Sequence, residues 1–181
     1  MPIPIHIPEK DLFDQRSGQF ITIKETNIVL EHSLISISNW ESKWHKPYLS
    51  SDKKTTEEFL SYLQCMCLTK NVDPNVFYAL DGDSVKKIAD YISDPMTATT
   101  FKKREQKRNK EIITSELIYF WMTNFNIPFE PCQKWHINRL LTLIEVASIK
   151  NQPPKKVGRS EAARERAALN ASRRAKYNTR G

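Results

Sequence analysis

Cys132 and His136 stand four residues apart in a stretch that reads as helix, so they would share one face, a legitimate spacing for zinc ligands. Cys65 and Cys67 are the other two cysteines. Residues two apart on a helix point in very different directions, and the chain offers no second clean Cys/His pair. Burial as small apolar side chains is the ordinary explanation for all three thiols. The same Cys132–His136 pair has a nucleophilic reading, because a helix N-terminus lowers a thiol pKa. That reading lacks a third group to orient the imidazole and a nameable oxyanion donor, and both residues fall inside the apolar arc of their helix. A core histidine with satisfied hydrogen bonds is the better account. No Gly-rich phosphate loop, paired-carboxylate site or zinc-hydrolase motif is present. No catalytic, metal or cofactor residue is therefore assigned, and no enzymatic activity is expected.

Chemistry of attachment has more to work with. Trp40-Glu41-Ser42-Lys43-Trp44-His45-Lys46-Pro47 mixes aromatic and basic residues, an exposed lip in one reading and a buried helical face in the other. Trp121 and Trp135 carry the same ambiguity. Arg139 falls within an apolar arc, where it either snorkels outward, makes a buried pair or meets a partner. The last part of the chain is strongly basic: from Lys150 to Gly181 there are ten Lys or Arg against two Glu. With a net charge of +7 for the whole chain, the part before it is close to neutral. Lys155, Lys156, Arg159, Arg164, Arg166, Arg173 and Arg174 join Arg139 as candidate partner-binding residues. The tail can bind nucleic acid electrostatically, dock on an acidic protein surface, or merely keep the chain soluble.

The elements that must position these residues centre on Ile112 to Ile149, the most apolar stretch. Ile112, Ile113, Leu117, Ile118, Phe120, Trp121 and Met122 cover most of a helical circumference, the pattern of a helix enclosed on several sides. Asn109 and Glu111 suit its start, and Pro128 and Pro131 follow its end. A second helix is expected over Cys132–Ile149, with Pro131 at its first position. Lys134, Asn138, Thr142 and Glu145 form its polar strip; Trp135, Ile137, Leu140, Leu141 and Ile144 belong to its buried remainder. The short connection makes the two helices close neighbours.

Upstream, Ile3, Ile5 and Ile7 alternate with Pro4 and His6, which forbids a helix and a central strand and predicts an edge strand or an arm. A turn is expected over Phe13–Ser17, and Phe20–Ile23 and Ile28–Leu30 read as short strands of a hairpin or three-stranded patch. Ser33 caps a helix carrying Ile37, Trp40 and Trp44 that ends before Pro47. Thr55 or Thr56 with Glu58 opens the next, capping-box style. Asp73-Pro74 starts a short helix, and Val85, Ile88, Ala89 and Ile92 mark another that ends at Asp94-Pro95. Residues 97–110 hold little to bury and form an exposed basic linker with Lys102, Lys103, Arg104, Lys107 and Arg108. Arg159–Tyr177 is rich in Ala, Arg and Glu and forms either a solvated helix or a segment ordered only by a partner.

The expected fold class is mainly α (α+β): a helical bundle with a small N-terminal strand patch and a basic helical or disordered C-terminal tail. The expected organisation is an arm with short strands over 1–31, a helical body over 32–150 and a basic tail over 151–181. The 181 residues suffice for a real core. No apolar run is long enough to span a bilayer, no secretory signal is visible, and an odd cysteine count fits reduced thiols.

The strings Trp40–Pro47, Asp94-Pro95-Met96-Thr97-Ala98-Thr99-Thr100, Asn126-Ile127-Pro128-Phe129, Cys132-Gln133-Lys134-Trp135-His136, Asn138–Ile144 and the terminal Asn178-Thr179-Arg180-Gly181 resemble a family of small proteins of long-tailed bacteriophages, the tail assembly chaperones. The resemblance covers most of the chain and carries no catalytic signature. It implies a non-catalytic factor in the host cell cytoplasm that binds the tape measure protein and helps recruit tail tube subunits, with self-association a further expectation. The alternative from the tail's charge is a nucleic-acid-binding phage protein.

Overall fold

The computed structural model describes residues 2–14, 18–101, 112–151 and 159–177. The chain divides into two units, Met1–Ile149 and Lys150–Gly181. The fold is α+β, mostly helical, with two small antiparallel sheets.

Strand β1 (Ile3–Ile7) pairs antiparallel with β4 (Thr26–Leu30), and β2 (Lys10–Asp14) pairs with β3 (Gln19–Ile23). The expected neighbours Phe20–Ile23 and Ile28–Leu30 are thus not partners of each other. The alternation of the first strand explains the pairing. With Ile5 opposite Ile28 and Ile3 opposite Leu30, both strands turn their aliphatic residues to one face, and Ile5, Ile7, Ile28 and Leu30 are all buried. Pro4 is tolerated because β1 is an edge, and the Pro4 carbonyl accepts a bond from Lys87 Nζ at 3.2 Å. The other side of β4 is occupied by the end of the second helix: Glu31 N donates to Met66 O at 2.9 Å and Leu68 N to Val29 O at 2.8 Å. Asp14 lies in β2, so the strand runs further than the expected turn at Phe13 allowed.

The helices begin where capping residues place them. Ser33 Oγ accepts from Ser36 N to open α1 (Leu34–Trp44). Thr55 and Glu58 form the full reciprocal box at the start of α2 (Thr56–Met66). Asp73 opens a 3-10 helix (Pro74–Ala79), and Asp81 caps α3 (Gly82–Ser93). Leu34, Ile37 and Trp40 from α1 meet Tyr62, Leu63 and Met66 from α2, each at most 1 % exposed.

The stretch after 112 differs from expectation. Helix α4 spans Ser115–Asn124 with Thr114 as its cap. Ile112 and Ile113 precede it, and Asn109 and Glu111 lie outside the described residues. Its buried line is only Ser115, Ile118 and Met122, while Phe120 is 58 % exposed, so the helix is covered on one side rather than several. The expected Cys132–Ile149 helix is two pieces. Helix α5 is a single turn, Phe129–Cys132, and α6 runs Ile137–Asn151. The break arises because the intervening backbone is used elsewhere: Ile35 N donates to Gln133 O at 3.4 Å, Ser33 bridges His136, and Ile137 N donates to His32 O at 2.8 Å. Trp135 is half-buried, and the fully buried line of α6 is Ile137, Leu140 and Ile144.

Unit 2 contains α7 (Arg159–Tyr177), nineteen residues long. Two substitutions check this account by urea denaturation. Leu140→Ala, at a site with no exposure, is expected to cost about 2–5 kcal/mol. Thr55→Ala is expected to cost about 1 kcal/mol by removing the box.

Candidate functional site

The titratable groups that the structure gathers are not those at helical spacing in the sequence. Glu31, His32, Tyr48, Tyr62, Tyr91 and His136 come from β4's end, α1's following loop, α2, α3 and the α5–α6 junction, and each is at most 9 % exposed. The His32 and His136 rings lie 5.0 Å apart at 75°, and Tyr48 stacks on Tyr62 at 3.8 Å. His32 Nδ1 is bonded to the Tyr62 hydroxyl. Tyr91 donates its hydroxyl to Glu31 Oε1 at 2.6 Å.

His136 does two jobs at the start of α6. Its Nδ1 accepts the Asn138 amide at 3.3 Å, filling the place of an N-cap side chain. That leaves the proton on Nε2, which donates to the Tyr91 carbonyl at 3.0 Å. The pairing needs a neutral imidazole, since a charged ring has no acceptor. Burial holds His136 below its usual pKa, and burial together with the neighbouring His136 pushes His32 down to about 3. Burial also raises the Tyr62, Tyr48 and Tyr91 hydroxyls.

A second buried acid completes the frame. Glu41, 8 % exposed, accepts Tyr48 N at 2.8 Å through Oε1 and Ser115 N at 2.7 Å through Oε2. One carboxylate thereby ties α1, the loop after it and the positive end of α4. These groups are consumed in holding elements together. Two open depressions, of about 310 and 290 Å³, are lined by neither His32 nor His136.

The sequence candidates fall in other places. Cys132 closes α5 and His136 stands before α6, so the shared helix face does not form. Burial raises the Cys65 and Cys67 thiols. Among the described residues no cluster of three metal-ligating side chains occurs. Arg139 is exposed rather than enclosed, its guanidinium 4.4 Å over the Trp135 ring. Trp40 is buried and donates Nε1–H to Glu58 O at 2.9 Å, while Trp44 stacks partly exposed beside it, so of the two readings the buried face holds for Trp40 and only Trp44 reaches the surface.

Lys155 and Lys156 lie outside the described residues. Arg159 is the first residue of α7. Arg164, Arg166, Arg173 and Arg174 are all exposed. Positions 159, 166 and 173 are seven apart and drift by only about 20° per step, so they share one register line, while positions 164 and 174 fall off it. Leu169 and Tyr177, the sizeable apolar residues of this helix, are 51 % and 67 % exposed.

Comparison with protein-family models, with curated proteins and with solved structures gives no match.

The buried histidines make stability depend on pH. Unfolded, each titrates near 6.5, whereas folded both are lowered, His32 to about 3. The unfolded chain binds more protons under acid conditions, so the contribution is complete above 6.5 and declines steadily as pH falls towards 3. At about pH 5, His32 alone should remove about 2 kcal/mol. Urea midpoints compared at neutral and mildly acid pH should show that loss, and His32→Gln should flatten the slope.

Proposed function

We propose that this chain is a non-catalytic protein-binding factor, a phage tail assembly chaperone that escorts the tape measure protein in the host cell cytoplasm. The observation that carries the reading is α7, a nineteen-residue helix whose described side chains, Arg164, Arg166, Arg173 and Arg174 among them, are all exposed. Such a helix has nothing apolar enough to hold it against a core, and its charge invites an acidic partner. The resemblance over Trp40–Pro47, Cys132–His136 and Asn138–Ile144 supplies the identity of that partner. The body supports the reading in a second way: its buried acids, histidines and tyrosines are spent on structure, which suits a carrier rather than a reactive centre. Recruitment of tail tube subunits and self-association belong to the same proposal. No helix among the described residues is long and apolar enough to cross a membrane.

The four exposed arginines of the same helix favour one alternative, electrostatic binding of nucleic acid. Neutralising about four phosphates would give a log–log salt slope of about −3.6 on duplex DNA.

Removing residues 151–181 should leave the melting temperature of the rest within about 2 °C and cut tape measure capture in a pull-down about tenfold. Undiminished capture counts against the chaperone reading of the tail. A gel shift through a salt series separates the alternative: retardation that persists near about 0.15 M salt, with capture unaffected by the truncation, would favour nucleic acid.

A further inference from the structure

We infer that the cleft formed by the end of α1, one face of α2 and the 3-10 helix is a docking pocket for a partner peptide carrying an acidic side chain next to an aliphatic one. This goes beyond the tail's role and stands whether or not the tail captures a client.

The cleft holds about 310 Å³, room for one or two side chains, and is lined by Lys43, Trp44, Leu60, Ser61, Gln64 and Tyr78, with Glu57 at the start of the same α2 face. Residues 57, 60, 61 and 64 recur at helical spacing, so α2 offers the cleft a single side. Its opposite side, Tyr62, Leu63 and Met66, is committed to the core. The floor is fixed. Ser61 is 5 % exposed, and its Oγ accepts from both Lys43 Nζ and Trp44 Nε1 at 3.0 Å each. That shared acceptor holds the ammonium and the indole side by side before any ligand arrives, which lowers the ordering cost of binding.

The chemistry on offer selects the occupant. The Lys43 ammonium has three donors and places one on Ser61, leaving two for an incoming carboxylate. The Gln64 carboxamide adds a donor and an acceptor for a peptide group. Leu60, the Trp44 ring and Tyr78, which is 58 % exposed, offer a surface for an aliphatic side chain. Glu57 repels a second acid, so an isolated carboxylate beside an apolar residue fits better than an acidic run. A nucleic acid strand would bring successive phosphates towards Glu57 and is disfavoured for the same reason.

The test is a titration of the full chain with N-acetyl-Leu-Glu amide, followed by the indole N–H signals in NMR. The Trp44 signal should shift and saturate at millimolar peptide, while Trp135 stays still. N-acetyl-Leu-Gln amide should bind about fivefold more weakly or worse, and Lys43→Met should weaken the acidic peptide to the same extent. Tyr78→Ala, at an exposed site outside the fixed floor, should also weaken binding with the fold intact; it keeps the test decisive if Lys43→Met unfolds. Equal affinity for both peptides, or no saturable shift at Trp44, overturns the proposal. Tighter binding of a short oligonucleotide at the same signal overturns it in favour of a phosphate site.

Discussion

Buried polar groups that leave water must find partners inside the protein, and this constraint organises the molecule around the residues that lead into α1. Glu31, His32, Ser33 and Ser36 are all buried within six positions of chain. Two reach other elements, Glu31 to Tyr91 and His32 to Tyr62, and two close the segment on itself, Ser33 to Ser36 and Ser36 Oγ to the Glu31 carbonyl at 2.8 Å. Among the described residues no buried side-chain nitrogen or oxygen lacks a partner. An unpaired buried group costs about 1–3 kcal/mol, so these bonds enforce one arrangement of strands and helices rather than merely adding to it.

The same economy explains why the most apolar stretch is not the centre. Residues 112–151 contribute two narrow lines, Ile118 with Met122 and Ile137 with Leu140 and Ile144. The centre is where α1 crosses α2 beside β4, because there large apolar faces meet with polar groups satisfied between them. Glu41 extends this centre to α4, and His136 extends it to α6. Both use a helix's positive end, where unmet backbone amides welcome an acceptor. The core leaves partly open the face of α2 that carries Glu57, Leu60 and Gln64.

Much of the local structure was legible in the sequence. Ser33, the Thr55–Glu58 box, Asp73-Pro74 and the stop before Pro95 each mark a boundary that the structure keeps, because capping acts through residues two or three positions away. The edge strand at Ile3–Ile7 was legible from its prolines and its alternation. Strand partners were not, since β1 meets β4 with β2 and β3 between them in the chain, and several pairings satisfy the same pattern. The Cys132–His136 face was misread because helical spacing assumes a continuous helix, and backbone bonds to His32 and Ile35 interrupt this one.

The residues themselves therefore determined the α+β class, the helix starts and the uneven charge that leaves a near-neutral body and a cationic end. Those properties are local or additive, and composition and short-range spacing are enough to set them. Tertiary structure alone decided that Glu41 would hold Ser115, seventy-four residues away, and that two distant histidines would lie ring against ring. It also decided that Lys43 and Trp44 would converge on Ser61. Such meetings depend on which elements pack together, and no periodicity along a chain records the identity of a neighbour that arrives from elsewhere in it.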